Sequence, residues 1–565
     1  MFGNTASISS PLDYSGRNSN RESTGTNWRH QMAAFDDNLA IGGVISHMGF
    51  EPQTSVLLDN ITTRSTRGPC AHVHWLTTNP IMDYTALIKD KAFVNGKWTS
   101  AASGKTFEVT NPANGAVLGS VPDMDQQDVV EAIKIAHQAF QTWKKTTAKE
   151  RCAVLKKWYT LMIAEHENLA KLSTAEMGKP VAEGRGEVAY GAGFAEYFAE
   201  EAKRSYGDFI PSPVASKRLL AIRQPVGVVA MITPWNFPFA TVTRKAAPAL
   251  AAGCTVVIKP SEETPLSALA ICELAEKAGI PPGVLNVVTC SRDNAAPVGK
   301  ELCKNPLVAA VSFTGSSVVG KYILEESAST VKKVSLELGG NAPFIVFDTA
   351  DLEKAVGGAM TSKFRAGGQS CVCANRIFVQ EGIHDEFVEK LVAAIKGLKV
   401  GHGLEAGTTI GPLINVKAVE KVEAHIKDAL AKGAKLIIGG KRDAMGEQFF
   451  EPTLLTGVTT EMICMHGETF GPVAPIIKFK TEEEVLSIAN DCRHGLAGYF
   501  YSNNMSQLWR VAEELEVGMV GINEAVLHAV EAPFGGVKES GLGREGSRYG
   551  LDEYTEIKYL CFGAI

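Results

Sequence analysis

The sequence predicts an α/β protein with parallel sheets covered by helices on both faces. Short, wholly apolar strand segments alternate with helical segments over residues 226–313, and a second such series runs from 342 to about 534. Apolar strands joined through helices belong to buried parallel sheets. Glycine, 54 of 565 residues, is plentiful enough for the tight turns that such a fold needs.

In chain order, Phe93-Val-Asn-Gly-Lys-Trp98 reads as a hairpin around Asn95-Gly96. From Gln126 to about Tyr206 the amphipathic spacing predicts helix. Val226–Ile232 is a buried strand, followed by a helix through Val242 to Ala251. Cys254–Ile258 is the next strand and Pro265–Ala278 the next helix, with strands at Val284–Val288 and Val308–Phe313 after it. Sheets of this kind bind nucleotides at the carboxyl ends of their strands. Ala342–Phe347 opens the second series. Near the end, Thr555–Leu560 is a lone strand with no hairpin partner, expected to complete a sheet elsewhere or in another subunit.

Bulk properties narrow the class. The chain is long enough for roughly two or three domains, with 45% hydrophobic and 21% charged residues. A net charge of -6 and the lack of a basic stripe argue against nucleic acid. No apolar run reaches the roughly 20 residues of a membrane span. Eleven cysteines, odd in number and scattered, read as the reduced thiols of a cytoplasmic protein. Residues 1–83, rich in Ser, Thr, Asn, Gly and Arg without a sustained period, read as a poorly ordered extension. Arg17, Arg21 and Arg29 lie there without the amphipathic period of an organellar transit peptide. Cys70, His72 and His74 supply three ligands without a fourth, so no metal site is expected.

Two motifs fail on inspection. Gly315-Ser-Ser-Val-Val-Gly320-Lys321 follows a strand as a P-loop would, but Tyr322 stands where a Mg²⁺-binding hydroxyl is required. Its glycines before a helix still offer amides to some phosphate. Gly541-Leu-Gly543-Arg-Glu-Gly546 is a literal G-x-G-x-x-G, but no buried strand leads into it and no βαβ unit can follow.

Chemistry gathers in Phe364-Arg-Ala-Gly-Gly-Gln369-Ser-Cys371-Val-Cys373, where a cysteine follows a Gly-Gly turn at an expected helix start. A helix N-terminus favours thiolate. Spacing alone leaves Cys371 either a nucleophile or a small core residue. The segment resembles the nucleophile motif of the aldehyde dehydrogenase superfamily. Pro234-Trp-Asn-Phe-Pro238, Lys259-Pro-Ser-Glu262, Leu336-Glu-Leu-Gly-Gly-Asn341, Glu468-Thr-Phe-Gly-Pro472 and Pro533–Gly541 resemble further motifs of that family, in order.

The resemblance covers residues 86–565 and implies a Rossmann-like NAD(P)-binding domain from 86–212 and 227–338. It also implies a catalytic α/β domain over 339–546 and a small β oligomerisation element from 213–226 and 547–565, joining homodimers or homotetramers. Cys371 would attack the aldehyde carbon, Asn236 and the Cys371 N–H would hold the oxyanion, and Glu337 would activate the hydrolytic water. Glu337, between Leu336 and Leu338, is expected to have a raised pKa. Lys259 and Glu262 would take the adenine-side ribose, Ser316 the pyrophosphate and Glu468 the nicotinamide ribose, with Ser261 and Gly315 also at the cofactor and Trp235 and Phe470 as walls. Glu262 would repel a 2′-phosphate, so NAD⁺ is expected ahead of NADP⁺.

Within the superfamily the chain most resembles succinate-semialdehyde dehydrogenases. That implies that Arg204 and Arg365 grip the substrate's distal carboxylate, which suits guanidinium forks. Three positions depart from the pattern: Ala366 replaces Asn, Ser370 replaces Thr, and His528 replaces a carboxylate-binding serine. His528 leaves glutarate semialdehyde, 2-oxoglutarate semialdehyde and an aryl-substituted semialdehyde open as substrates. Cys373, two residues past the nucleophile, is a candidate partner for a reversible disulfide. A non-catalytic binding protein on the same fold and a cofactor-free thiol esterase are the competing readings, and intact Cys371, Glu337 and Asn236 argue against the first.

Overall fold

A computed structural model of the protein describes residues 83–563. Most of the extension expected over 1–83 lies outside them, with Cys70, His72 and His74.

The first sheet has eight strands, ordered Lys97–Thr99, Ala92–Val94, Leu285–Val287, Thr255–Lys259, Val228–Ile232, Val308–Thr314, Lys333–Glu337 and Gly541–Leu542. The five from Leu285–Val287 to Lys333–Glu337 are mutually parallel. Every residue of Val228–Ile232 and of Thr255–Lys259 is buried, because helices cover both faces. The edge hairpin forms at the expected turn. Asn95 (φ 58°) and Gly96 (φ 66°) both adopt the left-handed conformation that a two-residue hairpin loop requires.

Helices match their predicted positions closely, at Ala240–Ala252 and Pro265–Ala278. The long helical run resolves into Gln126–Trp143, Ala148–Ala164, His166–Met177 and Val181–Glu201. The first two begin with capping boxes, at Asp125/Asp128 and Thr147/Glu150, which satisfy amides that helix starts leave free.

The second sheet is ordered Lys435–Ile438, Thr453–Thr456, Val473–Phe479, Ala374–Gln380, Ala342–Val346, Ala497–Tyr501 and Met519–Ile522. It is parallel except at its Lys435–Ile438 edge. The Gly339–Asn341 turn leads from the end of the first sheet directly into it.

A third sheet holds Asp208–Ile210, Lys217–Pro225 and Thr555–Gly563. The terminal strand completes a sheet elsewhere in the chain, as expected. It pairs antiparallel with Lys217–Pro225 of the same chain along nine residues, Thr555↔Pro225 to Gly563↔Lys217. No helix among the described residues is long and apolar enough to cross a membrane.

Candidate active site

Strand order in the first sheet reverses between Val228–Ile232 and Val308–Thr314, and such a reversal opens a crevice at the carboxyl ends. Val228–Ile232 runs out into Trp235 and Asn236, Val308–Thr314 into Gly315 and Ser316, and Lys333–Glu337 ends on Glu337. From the second sheet, Cys371 enters at the amino end of Ala374–Gln380. Gly340 allows this meeting, because a Cβ there would fall 2.2 Å from the Cys371 carbonyl oxygen.

Two cavities join at Asn236, Thr314 and Cys371. The larger, ≈ 340 Å³, extends past Trp235, Gly315, Ser316, Glu337, Glu468 and Phe470. The smaller, ≈ 60 Å³, ends among Tyr190, Arg244, Arg365 and His528. Thr314 Oγ1, buried at the junction, has no hydrogen-bond partner among the described residues.

Asn236 is buried, and its Nδ2 donates to the Gln369 carbonyl at 3.0 Å. That bond fixes the amide plane and leaves one N–H for an oxyanion. Gln369 is itself held, its Oε1 accepting from the Ile414 amide at 2.9 Å. Glu337 is buried, and neither carboxylate oxygen has a partner. Burial, followed by the charge of Glu545, raises its pKa well above the usual carboxylate range, as the flanking leucines suggest.

Cys371 does not start a helix. It sits in a turn after the 3₁₀ segment Arg365–Gly368, where Ala366, Gly367 and Gly368 all have positive φ and reverse the chain before the strand Ala374–Gln380. No helix dipole favours its thiolate. Burial pushes the thiol up to about 12, opposed chiefly by Arg244.

The larger cavity suits a dinucleotide. Trp235 and Phe470 meet edge to face, centroids 5.5 Å apart, as two aromatic walls. Gly315 and Ser316 precede the helix Ser317–Ser327, Ser316 being its N-cap. Amides in the first turn of a helix lack intrahelical partners and attract phosphate. Glu468 Oε1 accepts from the Gly340 amide at 3.1 Å, and burial raises its pKa to about 7. Lys259, Ser261 and Glu262 do not line this cavity but stand at the end of the neighbouring strand Thr255–Lys259. Glu262 lies 3.6 Å from Lys259 Nζ and 3.5 Å from Arg292, and Ser261 Oγ accepts from the Glu263 amide. Sequence reasoning missed Lys417 and Lys421, one helical turn apart on the cavity wall.

In the smaller cavity Arg365 has no carboxylate within ion-pair distance among the described residues. Its Nη1 lies 3.2 and 3.3 Å from the two His528 ring nitrogens, and its guanidinium stands 5.5 Å from the Phe237 ring centre. Burial, and then Arg365, lowers the His528 pKa to about 4, so the ring is neutral at pH 7. Arg204 is a correction. It lies at the end of the helical run, its side chain 54% exposed and paired with Glu201, lining a separate surface cavity with Arg223 and Arg548. The second guanidinium of the inner cavity is Arg244, paired with Glu545 at 2.5 Å and stacked 4.4 Å from the Phe534 ring centre. A signal existed: Arg244-Lys245 interrupts an otherwise apolar helix that is buried throughout.

The aldehyde dehydrogenase family pattern matches residues 98–560. Human succinate-semialdehyde dehydrogenase, mitochondrial, is 57% identical over 481 residues, which cover 85% of this chain and 90% of that protein. Glutarate-semialdehyde dehydrogenase of Pseudomonas aeruginosa is 56% identical over 479 residues, covering 85% and 99%. A crystal structure of succinate-semialdehyde dehydrogenase from Burkholderia pseudomallei aligns with TM-score 0.84 at 55% identity, covering 85% and 99%.

Proposed function

Since this chain belongs to the aldehyde dehydrogenase family, an NAD(P)-dependent enzyme, we propose that its substrate is a short semialdehyde with a distal carboxylate, succinate semialdehyde foremost. The observation that carries this is Arg365, a guanidinium without a carboxylate in ion-pair distance among the described residues, which lines the same cavity as Cys371. An anion supplied by the substrate would satisfy it. The names of both curated relatives, for succinate and for glutarate semialdehyde, point the same way.

Cys371 Sγ adds to the aldehyde carbon, and the thiol proton leaves to water. The oxygen becomes an oxyanion held by Asn236 Nδ2 and the Cys371 N–H, a donor of this kind being worth about 3 kcal/mol. Trp235, Glu468 and Phe470 would hold a nicotinamide, which would supply the hydride acceptor that oxidation of the thiohemiacetal carbon requires. Glu337, having released its own proton to solvent, takes a proton from water as that water attacks the thioester, and the Cys371 thiolate leaves as the acid is released.

NAD⁺ is the expected cofactor, because the Glu262 carboxylate would repel a 2′-phosphate. Lys259 and Arg292 beside it weaken that preference rather than reverse it. Assembly into dimers or tetramers is supported by the third sheet, which leaves Phe209, Ile557 and Tyr559 between 58% and 68% exposed. The ten cysteines among the described residues are free thiols, which fits a reducing compartment such as the cytosol.

The test is NADH formation with succinate semialdehyde, glutarate semialdehyde and butanal, with ester hydrolysis measured with and without NAD⁺. Preference for the acidic aldehydes supports the reading. Equal turnover of butanal overturns the substrate assignment, and ester hydrolysis without any NADH formation would favour the esterase.

A further inference from the structure

The helix Val181–Glu201 lines the smaller cavity through Tyr190, and Glu187 and Glu183 precede Tyr190 by one and two turns on the same side of the helix. Residues at this spacing share a helix face. Glu187 is buried, and all of its acceptor capacity is used. Its Oε1 takes the Phe239 and Ala240 amides at 2.9 and 3.1 Å, and its Oε2 takes Ser173 Oγ at 3.0 Å and Lys179 Nζ at 2.6 Å. Lys179, wholly buried, donates a second bond to the Asn236 carbonyl at 2.6 Å and stands 4.1 Å from the Phe237 ring centre. One acid–base pair therefore grips the backbone of the oxyanion residue and the entry to the next helix together.

Four residues earlier, Glu183 Oε2 accepts from the Ala366 amide at 2.7 Å. Ala366 has φ 51°, a left-handed conformation that an alanine seldom adopts, and it directly follows Arg365. Glu183 thus holds the turn that aims the guanidinium. Tyr190, one turn further along, sets its ring edge-on to His528, centroids 5.2 Å apart, and His528 in turn faces Arg365.

We infer that Lys179, Glu183 and Glu187 are positioning residues that fix the distance between the oxyanion amide of Asn236 and the guanidinium of Arg365, so that this helix face sets the length of acid that the enzyme accepts. The inference rests on the roles given to Asn236 and Arg365 under Proposed function. Its logic is rigid spacing. The two ends of the substrate are held by backbone segments far apart in sequence, and both segments are tied to one helix whose repeat cannot stretch. Loss of the Glu183 bond frees only the Arg365 end. Loss of the Lys179–Glu187 pair frees only the Asn236 end.

The two ends predict different kinetics, which a merely structural role would not separate. Glu183→Ala is expected to raise KM for succinate semialdehyde about tenfold while changing kcat less than about twofold. It should also raise the kcat/KM ratio of glutarate to succinate semialdehyde, and Glu183→Gln, which keeps an acceptor oxygen, should restore both. The double variant K179M/E187Q removes the buried charges as a pair, so no lone ion is left to unfold the chain. It is expected to lower kcat about tenfold for succinate semialdehyde and butanal alike, with KM for the semialdehyde nearly unchanged. Proportional losses in kcat and KM in both variants, or an unchanged chain-length ratio in Glu183→Ala, would overturn the inference. Arg365→Ala in the same assays separates the two readings. If it leaves the preference over butanal intact, the distal subsite itself is misassigned. If it abolishes that preference while Glu183→Ala does not alter the length ratio, only the positioning role fails.

Discussion

Arg365→Ala removes the one guanidinium of the inner cavity without a carboxylate in ion-pair distance among the described residues. Its nearest neighbours are a neutral imidazole at 3.2 Å and a Phe237 ring at 5.5 Å, and the buried Glu183 carboxyl also feels its charge. Comparing an acidic with a neutral aldehyde therefore separates the substrate contact from any cost on the protein side. A carboxylate about 3 Å from the guanidinium gains roughly 5 kcal/mol at an effective dielectric constant near 20. Desolvation of both ions and ordering of the side chain reduce this to about 2–3 kcal/mol net, or roughly 30- to 150-fold. The distal carboxylate is bound equally in ground and transition states, so the loss should fall on KM and leave kcat nearly intact. Initial rates of NADH appearance with succinate semialdehyde and butanal give the comparison directly. Butanal, which never touched Arg365, should retain its kcat/KM within about threefold. Arg365→Lys, which restores charge without the planar fork, should recover only part of the loss. Equal losses for both aldehydes would show that Arg365 shapes the pocket rather than binds the acid, and the reasoning would fail.

Glu337→Gln should cost about 100-fold or more in turnover through loss of the general base. It should also stabilise the protein, with a definite pH dependence. Because the folded-state pKa of Glu337 is raised, the folded chain holds a proton that the unfolded chain releases above about 4.5, so wild-type stability falls as pH rises beyond that point. The melting temperature of the variant should match wild type near pH 4 and exceed it at pH 7, and a lower value at pH 7 would count against the unpaired buried carboxyl. Replacing His528 by Ser opens space above Arg365 and should raise the glutarate-to-succinate ratio of kcat/KM about tenfold, as one methylene is worth in a shaped pocket. Since His528 titrates at about 4, KM for succinate semialdehyde should not follow a group near 6.5, and a break there would contradict its burial. Cys373 is buried and gives its S–H to the Lys363 carbonyl at 3.4 Å, so a disulfide to Cys371 requires this turn to open. Peroxide inactivation that dithiothreitol reverses, and that Cys373→Ala renders irreversible, is the expected outcome; equal reversibility in the variant would exclude the pair.

Much of the fold was legible because it depends on local signals, whereas the roles expected of Cys371, Asn236 and Glu337 came from the family resemblance. Apolar strands of four to seven residues mark buried parallel sheets, and Asn236, Ser316 and Glu337 follow such strands at once. What escaped was set by tertiary contact. Arg204 and Arg244 are both arginines near helical segments, and nothing local says that one faces solvent and the other Glu545, some 300 residues away. The turn before Cys371 resembles a helix start because Gly-Gly precedes it, yet the left-handed φ of Ala366 is imposed by the distant Glu183 carboxylate rather than by alanine itself. Lys179 and Glu187 read as two more charges on an amphipathic helix, although both are buried.

These misplacements share a cause that bears on how the site works. Its charges are buried and paired off, except where chemistry needs them. Arg244 and Lys245 are answered by Glu545, and Lys179 by Glu187. Glu545 keeps its proton off because two cations hold it, and its negative charge then helps burial keep the neighbouring Glu337 protonated. Cys371, pushed up to about 12, likewise rests as the thiol. A cavity in which Cys371 and Glu337 both rest neutral avoids the cost of lone buried charges. It also leaves the nucleophile unreactive until groups brought in by the bound reactants favour its thiolate. In the smaller cavity, Arg365 is the cation without a carboxylate in ion-pair distance among the described residues. Charge complementarity therefore acts first on the distal acid, and the reactive thiol meets an aldehyde that is already oriented.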